Sequence, residues 1–200
     1  MATKTLIEVL FWLEDLFGRH GIERSYGGAF ARNFYAPPRF TKDIDLLVLM
    51  SQVKIPALVE DLRVAGARRI RTDETTGDVR VTLELKDFLG DLRSRERMVR
   101  LDCFGVSTEL FAPWHPFDHE VLRSALSRDA GGRMVKVHRP EHLLVYKKVF
   151  DRSKDIEDIK AILVANAGRL DLEEVRKWAR QLIDEEGLAE LEQLIADFCQ

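Results

Sequence analysis

The sequence predicts an α+β fold: a small mixed β-sheet with flanking helices, followed by a C-terminal helical bundle. Three observations carry that prediction. Asp43-Ile44-Asp45 runs into Leu46-Leu47-Val48-Leu49, the apolar pattern of a buried strand. Val79 to Leu85 alternates apolar and polar residues, as a half-buried strand does. From Pro140 onward the chain carries only helical patterns. The boundary falls near Arg139, giving an α/β core over residues 1–139 and a helical region over 140–200 packed on it.

Each element follows from its residues. Leu6 to Phe17 interleaves apolar side chains with Glu8, Glu14 and Asp15, the pattern of an amphipathic helix that Gly18 and Gly21 end. Gly27-Gly28 opens a short helix over Ala29 to Phe34. Ala36-Pro37-Pro38 breaks it, because proline disfavours helix in the residue before it. Asp43 to Leu49 is a strand. Ile55 to Ala65 is a helix with Gly66 just past its end. Arg68 to Arg71 and Val79 to Leu85 are strands around a turn at Thr76-Gly77-Asp78. Val99 to Phe104 and Met134 to His138 are two more. Helices then span Glu141 to Phe150 and Ser153 to Ala165. A third starts at Asp171-Leu172-Glu173-Glu174, which is close to a capping box, and a fourth spans Leu188 to Phe198.

The totals bound the function. A chain of 200 residues can bury a sizeable core in one domain. A net charge of −3 speaks against a general nucleic-acid-coating role. Basic clusters at Arg68 to Arg71 and Arg93 to Arg100 read as solvated faces or as local contacts to RNA or DNA. No stretch is apolar enough to span a membrane, and the N-terminus lacks a signal-peptide pattern, so a cytoplasmic protein is expected. Cys103 and Cys199 form neither a disulfide framework nor a zinc spacing; Cys103 reads as core. The pairs His115/His119 and His138/His142 have the four-residue spacing of a helical zinc site but lack its companion ligands. Trp12, Trp114 and Trp178 read as core anchors.

Chemistry concentrates around three carboxylates: Asp43, Asp45 and Asp102. Asp43 and Asp45 point to one side of their strand, since side chains alternate. Like charges held together repel, and a divalent cation removes the conflict. Asp102 lies on a strand that can pair beside them. Such hard oxygen ligands suit magnesium or manganese with phosphate oxygens. Gly27 and Gly28 let the backbone approach phosphate closely. Arg39 and Lys42, which flank the pair, either bind phosphate or balance charge. Lys147, Arg152, Lys154, Asp155 and Asp158 have two readings from pattern alone: an exposed salt-bridge network, or a cation set that reaches a triphosphate, with Asp158 orienting Lys147.

Gly27-Gly28 followed by Arg39-Phe40-Thr41-Lys42-Asp43-Ile44-Asp45-Leu46-Leu47-Val48 resembles the signature of the nucleotidyltransferase superfamily typified by DNA polymerase β. The Arg-x-Thr-x-Asp-x-Asp form is similar to the branch containing AbiEii-type toxins. His138 to Lys147 resembles that branch's strand-to-helix junction. Lys147 with Arg152-Ser153-Lys154-Asp155-Ile156-Glu157-Asp158 resembles its Lys…Arg-x-Lys-Asp-x-x-Asp motif, and the likeness runs from about Gly27 to Leu163. The resemblance implies a polymerase-β-like core and transfer of a nucleoside monophosphate from a nucleoside triphosphate to a hydroxyl. It implies Asp43, Asp45 and Asp102 as metal ligands, with Asp102 helping to deprotonate the acceptor. Gly27, Gly28, Arg39, Thr41, Lys147, Arg152, Lys154, Asp155 and Asp158 are the implied nucleotide-binding residues, Lys147 also acting in catalysis. The acceptor is a tRNA or other RNA end, a protein side chain or a small molecule such as an aminoglycoside, and the toxin likeness adds a possible antitoxin partner. The alternative is a non-catalytic binding or regulatory protein on the same fold.

Overall fold

The computed structural model describes residues 3–73 and 75–199. Helix α1 (Leu6–Arg19) starts at a capping box in which Thr5 and Glu8 satisfy each other's backbone N–H groups. Strand β1 (Glu23–Tyr26) leads through Gly27 into α2 (Gly28–Arg32), and β2 (Asp43–Leu49) follows. Helix α3 (Ile55–Val64), the hairpin β3 (Arg68–Asp73) and β4 (Gly77–Thr82), and helix α4 (Leu85–Arg93) come next. Then come β5 (Met98–Cys103), β6 (Val106–Phe111), α5 (Pro116–Arg123), β7 (Leu126–Asp129) and β8 (Met134–Val137). The chain closes with α6 (Pro140–Phe150), α7 (Ser153–Ala165), α8 (Leu172–Leu182) and α9 (Glu185–Phe198).

Among the described residues the strands form one mixed sheet in the order β4-β3-β5-β6-β2-β1-β8-β7. Strand β2 pairs antiparallel with β1 and parallel with β6. Ile44, Leu46 and Val48 are fully buried, which fixes the register, because a one-residue slip would bring the carboxylates into the core. The same apolar cluster contains Leu46, Leu110, Leu144 and Ile159, so the sheet and the C-terminal helices share one core. Burying each such side chain contributes about 1.5–3 kcal/mol. Tyr35 strengthens the junction by donating to the His138 carbonyl at 2.9 Å.

Several expectations change. Strand β4 is an exposed edge strand that stops at Thr82; only then does Leu83 turn into the core, and Leu85 begins a helix. Strands β1, β6 and β7 and helix α5 had no clear pattern, β1 and β7 being only four residues long. His115 caps α5, its ring nitrogen accepting from the Phe117 N–H at 3.1 Å, so it does not share a helical face with His119. His138 precedes α6 and likewise shares no helix with His142. Cys103 is fully buried, as expected. Trp178 is buried, whereas Trp114 is 63% exposed and is no core anchor.

Candidate functional site

A cleft of about 1040 Å³ opens where the N-terminal end of β2 meets α2, α6 and the start of α7. Its floor carries Asp43 and Asp45. Neither carboxylate has a hydrogen bond or ion pair from any described side chain. Burial raises the Asp45 carboxyl above its ordinary range and Asp43 adds to the rise; Lys147, Arg152 and Lys154 act against it from a distance. A carboxylate pair with no cation in direct contact is chemically suited to a divalent cation. Among the described residues no three His, Cys, Asp or Glu side chains already form a chelating group.

The glycines close one wall. Gly27 N–H donates to the Asp45 carbonyl at 2.9 Å. Gly28 has a φ of +56°, and a Cβ there would lie 1.6 Å from Asp45 Oδ2. Any side chain at Gly28 would therefore both strain the backbone and displace the carboxylate. Thr41 sets the near end of β2 by bonding the Asp43 backbone through its hydroxyl.

The structure does not bring Asp102 beside the pair. Strand β5 pairs with β3 and β6 and does not touch β2, so Asp102 lies in the same row as Asp43 but two strands away, roughly 10 Å. Its carboxylate bonds Arg80 and accepts the Gly105 N–H at 2.7 Å. The residue directly opposite Asp45 is Glu109 on β6, which lines the cleft. Burial raises the Glu109 carboxyl and Asp45 adds to that, while Arg100, 3.3 Å away, opposes it. No local pattern marked this residue, since Ser107-Thr108-Glu109 breaks the apolar alternation, and nothing local says that β6 adds to β2.

The same cleft carries cations. Lys147, Arg152 and Lys154 line the cleft with Asp155. The network has a buried centre, Lys147 at 5% and Asp158 at 2% accessible with Asp155 beside them, while Arg152 and Lys154 are exposed. Lys147 Nζ lies 3.1 Å from Asp155 and 2.7 Å from Asp158. Arg152 pairs with Asp155 at 2.6 Å. Asp158 also pairs with Arg32 at 3.1 Å and takes a bidentate grip from Arg39, both bonds 2.8 Å. Burial alone would raise the Asp158 carboxyl; the Arg39 and Lys147 bonds outweigh it and bring it down to about 2. Asp158 thus sits behind the cleft wall and fixes the cations that line it.

The far end of the cleft is aromatic. Trp114, Phe117 and Tyr146 line it. The buried Asp118 accepts from the Tyr146 hydroxyl at 2.6 Å and from the Trp114 and His115 N–H groups at 2.9 and 3.0 Å.

Residues 105–194 match the family described as nucleotidyl transferase of unknown function (DUF2204), a stretch that includes Glu109, Lys147 and Asp158 but not the Asp43–Asp45 pair. No curated protein matches the sequence. An antigenic nucleotidyltransferase-like protein from Paracoccidioides brasiliensis superposes with a TM-score of 0.54 at 19% identity, covering 98% of this chain and 94% of its own. The antibiotic-resistance factor ANT(2'')-Ia in solution gives 0.54 at 15% identity over 94% and 95%. The lincosamide antibiotic adenylyltransferase LnuA, with lincomycin bound, gives 0.50 at 12% identity over 81% and 98%.

Proposed function

We propose that this chain, which has the nucleotidyltransferase fold, moves a nucleoside monophosphate from a nucleoside triphosphate to a hydroxyl acceptor and releases pyrophosphate. The observation that carries the proposal is the Asp43–Asp45 pair, with no cation in contact, in a cleft that Lys147, Arg152 and Lys154 also line. Asp43, Asp45 and Glu109 are the residues that would hold magnesium or manganese; Glu109 takes the place expected of Asp102. When bound, such an ion neutralises charge on the transferring phosphoryl group.

The chain's own residues divide the remaining work. Lys147, Arg152 and Lys154 draw the triphosphate to their side of the cleft. Asp155 and Asp158 keep Lys147 and Arg152 from swinging out, so their positions are set before substrate arrives. Gly28, with no side chain, leaves the Asp45 carboxylate in its place at the cleft floor. Glu109, directly across from Asp45 and lining the cleft, is the residue that takes the acceptor proton. The acceptor oxygen bonds to the α-phosphorus as its bond to pyrophosphate breaks.

The cleft has room for a nucleotide and a small acceptor together. Lincomycin bound to LnuA supports a small-molecule acceptor by analogy of fold. An RNA or protein acceptor, and with it an antitoxin partner, rests on the AbiEii-like sequence motif. The test is incubation with each α-labelled triphosphate, magnesium and total cell lysate. The unaltered chain labels one class of molecule, and Asp43→Asn folds normally and labels none. Normal labelling by Asp43→Asn would overturn the proposal.

A further inference from the structure

Phe40 is 86% exposed at the rim of the cleft, three residues before Asp43, and takes no part in the apolar core. A single exposed aromatic residue is ordinary on a protein surface. This one is different because the backbone on both sides of it is clamped. Asn33 holds Arg39 twice, donating to its carbonyl at 2.8 Å and accepting its N–H at 3.0 Å. The Arg39 guanidinium grips Asp158 with two bonds of 2.8 Å. On the other side the Thr41 hydroxyl bonds the backbone of Asp43. Further back, Asn166 ties the Tyr35 carbonyl to the end of α7 at 2.7 Å. The strap between α2 and β2 is therefore fixed to α7, the helix that carries Asp155 and Asp158, and it presents a bare ring to the cleft mouth.

We propose that Phe40 is the face on which the nucleobase of the donor triphosphate stacks. This rests on the nucleotide-transfer reading above. The charged part of the cleft is suited to phosphates and offers a base nothing flat. The ring supplies an apolar plane on the rim of the same cleft whose lining includes Asp43 and Asp45. Because the strap is already immobilised, stacking costs little further backbone order. A phenyl ring has no hydrogen-bonding group, so it gives affinity without choosing among bases.

The test is calorimetric titration of the full chain with magnesium plus each of the four nucleoside triphosphates, and separately with magnesium plus inorganic tripolyphosphate. Phe40→Ala weakens binding of the nucleoside triphosphates roughly tenfold and leaves tripolyphosphate unchanged. Phe40→Trp restores nucleotide binding, and nucleotide but not tripolyphosphate quenches the new indole fluorescence. An equal loss for tripolyphosphate in Phe40→Ala overturns the proposal, as does no loss for either ligand. A slowed transfer with unchanged triphosphate binding assigns the ring to the acceptor and also overturns it. If the unaltered chain binds no triphosphate, the transfer reading itself fails; if it binds and Phe40→Ala binds equally well, only the stacking fails.

Discussion

Asp43 and Asp45 on β2, and Asp155 and Asp158 on α7, are two carboxylate pairs treated in opposite ways. The α7 pair is saturated: between them the two aspartates contact Arg32, Arg39, Lys147 and Arg152. The β2 pair shares one face of a strand with no cation in contact, and burial holds the Asp45 carboxyl above its ordinary range. Saturated buried carboxylates hold a structure together, whereas unsaturated ones cost stability and wait for a ligand. Completeness of pairing, more than burial or residue type, separates the two roles here.

The comparison can be broken most forcefully on the saturated side. Asp158→Ala leaves Arg32 and Lys147 buried without their shared partner. It is expected to cost roughly 3–5 kcal/mol, or a fall in Tm on the order of 10 °C, read by thermal denaturation. A Tm unchanged by the substitution would show that the network does not brace the fold. The next effect sharpens the boundary of the open site. Glu109→Gln should slow nucleotidyl transfer about 100-fold by removing the base opposite Asp45. Asp102→Asn, at a residue engaged with Arg80, should stay within about twofold. The reverse ranking in labelling assays would return Asp102 to the site. The smallest effect has the opposite sign to the first. Asp45→Asn removes the like-charge conflict with Asp43 and should raise stability by on the order of 1 kcal/mol while abolishing transfer. A destabilised Asp45→Asn would mean that the β2 pair is structural after all.

Much of this contrast is visible before folding. Asp-x-Asp before an apolar run specifies two carboxylates on one strand face, because strand periodicity is local. The breaks at Gly27-Gly28 and Ala36-Pro37-Pro38 likewise follow from backbone sterics at those residues. The spacing of Lys147 and Asp155 to Asp158 placed a cation and its acids on successive helices. Its burial was not legible, because exposure depends on how α6 and α7 pack against α2, and no local pattern encodes that. Trp114 was misjudged for the same reason: an isolated tryptophan says nothing about whether its corner faces the core or a cleft.

The sequence by itself determined the chemical types and their local geometry: paired carboxylates, a glycine turn, and downstream cations on a helix. Only the tertiary structure decided which further carboxylate lies across from Asp45. That choice depends on strand order, and β6 rather than β5 lies beside β2. Parallel pairing between Asp45 and Glu109 joins residues 64 positions apart, a contact set by packing of the whole sheet and by nothing in the intervening chain. The same holds for the strap that carries Phe40. Its clamp is Asp158, 119 residues away from Arg39, and only the folded core brings the two within reach.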